Sequence, residues 1–223
     1  MTRSKRTIFF VRPLEMTDIP AVTQWFLDLD DLALFDRSMR VPLSRQAAEK
    51  SWAESLGNDD RSGKSWFAIT CEQDIPIGII GLESVSVVNG DAVVPMCIER
   101  AVRNKGVGIR ALALVLDIAF RQLGLSRVTS YYRADNEASR ALTGRAGFSE
   151  EGCVRQAWFS GGERHDMIVI GLLRQEWLER RKTLAQELEH DTVVTFGRDT
   201  SGRWSWPPAA SGREGGKRAT LTT

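Results

Sequence analysis

The segment Arg103-Asn104-Lys105-Gly106-Val107-Gly108 constrains the fold more than any other stretch, because it joins a strand-like run ending near Glu99 to the best-marked helix of the chain. After it, Ile109, Leu112, Leu116, Ala119, Phe120 and Leu123 recur at helical spacing until Gly124 supplies a stop. Glycines let the backbone bend so that successive N–H groups point outward, and the first helical turn adds unpaired donors and the positive end of its dipole. Such a loop suits a pyrophosphate, and Arg100, Arg103, Lys105 and Arg110 are expected to surround it with cations. The same letters contain Gly106-x-Gly108-x-x-Ala111, compatible with a dinucleotide-binding fingerprint, with Asp135 where a ribose ligand could sit. Against that reading, Glu99 to Lys105 interposes polar residues between strand and glycine, and the upstream strands read as a meander. The triphosphate loop G-x-x-x-x-G-K-[ST] is absent.

Upstream, Thr7 to Val11 reads as a strand closed by Arg12-Pro13, and Thr17-Asp18 opens a helix carrying Ala21, Val22, Trp25, Phe26 and Leu29. Ser44 caps a second helix with Ala47, Ala48 and Trp52 on one side, ending near Gly57-Asn58-Asp59-Asp60. Ser65 to Cys71, Ile77 to Val88 and Ala92 to Glu99 read as strands separated by Gln73-Asp74 and Asn89-Gly90-Asp91, which implies antiparallel hairpins. Beyond the central helix come a strand, Arg127 to Arg133, and a short helix, Asn136 to Arg145, closed by Gly147. Two strands then flank Ser160-Gly161-Gly162, the last running from Met167 to Leu173, and Trp177, Leu178, Leu184 and Leu188 mark a C-terminal helix. Residues 1–190 are expected to form one domain, and 191–223 a largely disordered tail with Trp204 and Trp206 as a docking point.

A net charge of +1, with 26% charged and 42% hydrophobic residues, gives no excess to attract nucleic acid or a membrane surface. Cys71, Cys97 and Cys153 are odd in number and scattered, so neither a disulfide framework nor a zinc ribbon is expected, and the compartment reads as reducing. His165 and His190 are isolated, and no metal is expected. The apolar run Ile8 to Val11 is too short for a signal-peptide core, so the chain reads as cytoplasmic.

The order strand, R-x-x-G-x-G, long helix, strand, then Asn136-Glu137-Ala138-Ser139 opening a helix that closes at Gly147-Phe148, resembles the GCN5-related N-acetyltransferases (GNAT). The opening Arg12-Pro13-Leu14-Glu15-Met16-Thr17-Asp18, together with Glu151 to Ala157 and Gly162-Glu163-Arg164-His165-Asp166, resembles the branch of ribosomal-protein N-terminal (alanine/serine) acetyltransferases. The resemblance covers roughly Thr7 to Trp177. It implies an α/β fold with a mixed, mostly antiparallel seven-stranded sheet, helices on both faces and a splayed central strand pair. It also implies an enzyme that moves an acetyl group from acetyl-CoA to a primary amine by direct transfer. Arg103, Asn104, Lys105, Gly106, Val107 and Gly108 would then hold the CoA pyrophosphate through main-chain N–H groups, Ile98 would pair with the pantetheine arm, and Asn136 would contact the same molecule. Members of the family often form homodimers, yet no residue of this chain specifies a homodimer.

Acylation needs a neutral amine, help for the developing oxyanion and a proton for the leaving thiolate. An α-amine with pKa near 8 is about a tenth neutral at pH 7, whereas a lysine-type amine near 10.4 is neutral in about one molecule in 2,500. The resemblance puts Ser139 beside the sulfur as the acid. Where relatives carry a tyrosine donor or a glutamate base, this chain has Thr143, Tyr131 and Trp158, so an inherited base is missing. Glu99, just past the splayed strand, is the carboxylate that sequence places best to serve, directly or through a water. Trp158 is expected to narrow the acceptor site, and Asp28, Asp30, Asp31 and Asp36 to lie in its wall as attractants for a cationic amine or as a solvated turn. These departures favour a small-molecule acceptor, such as an amino sugar or natural-product amine, over a protein N-terminus. Two other readings stand beside this one: a degenerate module that binds acyl-CoA without turnover, and an NAD(P)-dependent oxidoreductase.

Overall fold

The computed structural model describes residues 6–37, 41–56, 63–189, 191–197 and 202–208; the expected turn at Gly57 to Asp60, His190 and residues 209–223 lie outside them. In chain order the elements are β1 (Thr7–Pro13), α1 (Ile19–Trp25), α2 (Leu29–Phe35), α3 (Arg45–Leu56), β2 (Ser65–Thr70), β3 (Pro76–Ser86), β4 (Asp91–Val93) and β5 (Met96–Ile98). They continue with α4 (Val107–Asp117), β6 (Arg127–Arg133), α5 (Glu137–Ala146), β7 (Ser149–Ser160), β8 (Glu163–Leu173), α6 (Arg174–Glu187), β9 (Thr192–Phe196) and β10 (Ser205–Trp206). The sheet runs β10-β9-β1-β2-β3-β4-β6-β8-β7, with β5 attached to β3 alone. Among the described residues only the β1–β9 and β4–β6 pairs are parallel.

Among the described residues ten strands stand where seven were expected. Pro95, which has no N–H to give a ladder, divides the expected strand Ala92 to Glu99 into β4 and β5. The other two strands come from the segment expected to be disordered. Thr192-Val193-Val194-Thr195-Phe196, β-branched and aromatic throughout, pairs in parallel with Thr7 to Val11 and covers that edge. Ser205 and Trp206 then pair with Thr195 and Val194, so the sheet passes the boundary expected at residue 190.

Alternation along the inner strands divides the core. On β2, Trp66 and Ala68 face the helices α1 to α3, while Phe67 and Ile69 face α4. On β3, Ile79 joins the first group and Ile80 and Leu82 the second. Helix α4 is apolar almost all round, as a helix enclosed by sheet and neighbours must be, and only Gly108 at its first turn is not buried. Its course widens into a π-helical turn over Ile118–Gln122. Among the described residues, no helix is long and apolar enough to cross a membrane.

Candidate functional site: a cleft at the start of the central helix

Strands β4 and β6 run together from Asp91↔Arg127 to Val93↔Thr129, and the Val94 N–H still reaches the Thr129 carbonyl at 2.9 Å. Past Pro95 the pairing stops, and β5 keeps only its β3 partner. Pro95 O accepts from Gly81 N, and Glu99 N donates to Ile77 O. Ladder bonds on alternate residues therefore send the N–H and C=O groups of Met96 and Ile98 away from β3, into the gap opening toward β6. The floor of that gap is Gly108: a Cβ there would lie 3.7–3.8 Å from Ile98, Leu142 and Met96. Strand β5, the start of α4 and helix α5 thus line one cleft, and its lining is kept open by a missing side chain.

The loop leading to α4 begins with a 3-10 turn, Arg100–Val102, closed by the Arg103 N–H on the Arg100 carbonyl at 3.3 Å. Asn104 (φ +61°) and Gly106 (φ +73°) then take left-handed backbone conformations, and Gly106 caps the helix. The N–H groups of Asn104, Lys105 and Gly106 make no main-chain hydrogen bond among the described residues, and those of the first helical turn have no intrahelical acceptor. Asn104 to Gly108 therefore present donors at a helix N-terminus, a geometry that suits an anion. Arg103 does not add its own amide to them. The dinucleotide reading fails here, because β5 is antiparallel to β3 and a 3-10 turn separates it from the glycines.

The four cations expected around an anion are mostly engaged elsewhere. Arg103 donates from Nε to the Ile98 carbonyl (2.9 Å) and from Nη1 to Asp31 (2.9 Å). Arg100 pairs with Asp31 (3.2 Å) and Asp28 (3.1 Å). Arg110 lies behind the loop, holding the carbonyls of Gly106 and Glu189, and Lys105 stands exposed at the tip. Counting basic letters overstated the local charge, because the compensating acids lie about 70 residues upstream.

Those acids belong to a helix where a loop was expected. Asp28 accepts from the N–H groups of Asp30 and Asp31 and so caps α2. Asp31 is buried; burial works to raise its carboxyl, but the hydrogen bonds from Arg103 and Arg100 outweigh this and hold it below the usual range. At the other end of α2, the Trp158 indole donates to the Ala33 carbonyl at 2.7 Å. Trp158 is only 1% exposed, so it is an anchor under α2 rather than a wall for a substrate. The helix consequently bridges the cleft mouth, tied to β5 and its loop on one side and to β7 on the other. Tyr131, 43% exposed, is held edge-on by Trp158 (6.3 Å between centroids) with the Arg37 guanidinium 6.0 Å from its ring.

Asn136 caps α5, its Oδ1 accepting from the Ser139 N–H at 3.0 Å. The Ser139 hydroxyl makes no hydrogen bond among the described residues, whereas the Thr143 hydroxyl is turned back onto the Ser139 carbonyl at 2.8 Å. Glu99 is half-buried at the end of β5, its main chain fixed by Ile77 and Val102 and its carboxylate without a hydrogen-bond partner among the described residues. His165 lies against Asp135 (3.8 Å) and the Ser160 carbonyl (3.4 Å), and Asp166 accepts from the Gln156 N–H inside the β7 bulge. Both thus serve the hairpin. Burial pushes the Cys97 thiol up to about 12, which leaves it without thiolate near neutrality. Among the described residues, no group of three or more His, Cys, Asp or Glu could hold a metal ion.

Comparison with known proteins agrees with this architecture. Over 100 residues the chain is 35% identical to a putative ribosomal N-acetyltransferase, YdaF, of Bacillus subtilis; the match covers 45% of this chain and 55% of that protein. It is 26% identical to the spermidine N(1)-acetyltransferase of Escherichia coli K12 over 183 residues, 82% of this chain and 95% of the relative. The fold is shared with a crystal structure of the Vibrio cholerae spermidine N-acetyltransferase in complex with CoA and spermine (TM-score 0.69, 19% identity, 76% of this chain and 98% of that one). The profile of the acetyltransferase (GNAT) domain matches residues 9–149. The chain therefore belongs to the GNAT family and is an N-acetyltransferase that draws its acyl group from acetyl-CoA.

Proposed function

We propose that this enzyme acetylates a compact, cationic small-molecule amine by direct transfer in a ternary complex. The observation that carries the reading is the bridge formed by α2 across the cleft, tied to Arg100 and Arg103 at one end and to Trp158 at the other. A bridged mouth favours a small acceptor over a folded protein's terminus, and with Asp28 and Asp31 paired to arginines, Asp30 and Glu99 are the acids left to attract a cation. The relatives named as spermidine acetyltransferases support a polyamine as the first acceptor to try, ahead of amino sugars.

In this reading the donor diphosphate sits on the amides of Asn104 to Gly108, and the outward N–H groups of Met96 and Ile98 meet the pantetheine arm and the thioester carbonyl. The amine attacks the carbonyl carbon, so a C–N bond forms while negative charge gathers on oxygen, where a β5 amide stabilises it. Collapse breaks the C–S bond, and Ser139 relays to the thiolate a proton that its hydroxyl recovers from water. The amine's own proton leaves to water or, through water, to Glu99. With Cys97 protonated and no histidine beside Cys153 among the described residues, an acyl-enzyme has no support.

Free-thiol release from acetyl-CoA, measured against spermidine, glucosamine and a short peptide with a free N-terminus, tests the reading. Spermidine or glucosamine should react; release with the peptide alone overturns the acceptor class, and CoA binding without any release overturns turnover. Ser139→Ala should lower kcat about tenfold and leave the dissociation constant for CoA unchanged, since protonating a thiol of pKa about 8.5 at pH 7 is worth only about 2 kcal/mol. Wild-type kcat in that variant removes Ser139 from the mechanism.

A further inference from the structure

We propose that Arg110 is a positioning residue: it braces the donor loop against the C-terminal segment and so aims the loop's amides at the donor diphosphate. The proposal rests on the assignment of that loop to the donor made above.

Side chains in a helix lean toward its N-terminus, so the residue four positions after the cap folds back over it. Arg110 does this with its guanidinium buried, 5% exposed. Nη1 donates to the Gly106 carbonyl at 2.9 Å and Nη2 to the Glu189 carbonyl at 2.6 Å. In a trans peptide the N–H points opposite to the C=O. Drawing the Gly106 carbonyl inward therefore turns the Val107 N–H outward, to the side where the helix presents its free donors. The glycine and the arginine are matched in shape, because a Cβ at position 106 would land on Arg110 Nη1.

The second carbonyl gives the brace its other end. Glu189 lies between α6 and β9, so the loop and the segment that continues as an added edge of the sheet are held by one cation. Burial disfavours the charge, Arg145 opposes it, and Asp191 and Glu189 of the same segment favour it. Nε is buried without a partner, so the two carbonyls are what the guanidinium is spent on. None of these contacts faces the cleft. Arg110 acts on the donor only through the loop.

Calorimetric titration with CoA of the full-length wild type, Arg110→Met, Arg110→Lys and Arg181→Met tests this. Arg110→Met should raise the dissociation constant about ten- to hundredfold, as the loss of charge-assisted hydrogen bonds implies, and Arg110→Lys should recover most of it. Arg181 ties α6 to Asp117 on α4 without touching the loop. Arg181→Met should therefore lower Tm but leave CoA affinity within about twofold of wild type. Wild-type affinity in Arg110→Met, or an equal loss in Arg181→Met, overturns the brace while leaving the donor loop standing. A wild-type chain that fails to bind CoA overturns the loop assignment, and the brace with it.

Discussion

Gly106→Val is expected to abolish measurable CoA binding. The position has φ +73° and ψ +4°, a left-handed conformation that costs an ordinary residue about 1–2 kcal/mol and a β-branched one more. The new Cβ would also occupy the place of Arg110 Nη1, and losing a hydrogen bond to a buried charged group costs about 1.5–3 kcal/mol. The loop escapes both penalties by rotating the 106–107 peptide, which points its amides away from the cleft. A total of about 3–5 kcal/mol taken from the binding geometry corresponds to a dissociation constant higher by a factor of about a hundred or more. Gly108→Ala supplies the matched comparison for stability: its φ is not in the left-handed region, and its methyl would find ordinary contacts with Ile98, Leu142 and Met96. It should keep the wild-type Tm. Calorimetry with CoA decides the matter, and a Gly106→Val protein that binds within about tenfold of wild type contradicts the role assigned to the bend.

Elements with strong local signals were legible before the fold was known, and elements held by distant partners were not. The strand Arg127–Arg133 falls where alternation puts it, and Asn136, Ser44 and Gly147 stand at the helix ends where capping chemistry puts them. Helix α2 was hidden because seven residues cannot hold a helix in water; it exists through Arg100, Arg103 and Trp158, none of them near in sequence. Its signal was nonetheless present in Asp28 followed by acids in the first turn, with Leu29, Leu32 and Ala33 at helical spacing. Thr192 to Phe196 likewise carried β-branched residues inside a stretch whose overall composition suggested disorder. Composition averaged over thirty residues concealed a five-residue strand.

The candidate site divides in the same way. The bend at Gly106 and the cap at Asn136 depend on backbone conformations that their own residues favour, so letters sufficed. The directions taken by Arg100, Arg103, Arg110 and Trp158 depend on tertiary partners, and each departs from the sequence expectation for that reason. Arg103 takes one of the two lone pairs of the Ile98 carbonyl, a group expected to meet the pantetheine arm, and so competes for it.

The largest stability effect is expected at Asp117, the acid at the end of α4. It is 2% exposed and accepts from the indoles of Trp177 (3.1 Å) and Trp206 (3.0 Å) and from the guanidiniums of Arg181 (2.7 Å) and Arg121 (3.0 Å). A buried carboxylate is tolerated only when paired and hydrogen-bonded, and here one carboxylate gathers α4, α6 and β10. Asp117→Ala strands two buried indole N–H groups and leaves two cations facing each other without an anion. The loss should be about 3–5 kcal/mol, against a total stability of about 5–15 kcal/mol for a globular protein. At about 2–4 °C per kcal/mol for a chain of this size, Tm should fall by roughly 6–20 °C. Strands β9 and β10 should loosen first, because Trp206 packs on Trp177 (5.5 Å between centroids) and under Arg181 through that same acid. Red-shifted tryptophan emission and faster amide exchange at Thr192–Phe196, appearing below the main unfolding transition, are the signs to seek. Asp117→Asn keeps one acceptor oxygen and should fall between wild type and alanine. A Tm lowered by less than about 2 °C in Asp117→Ala denies the acid its role and leaves the docking of the C-terminal strands to the β1 edge and apolar contact alone.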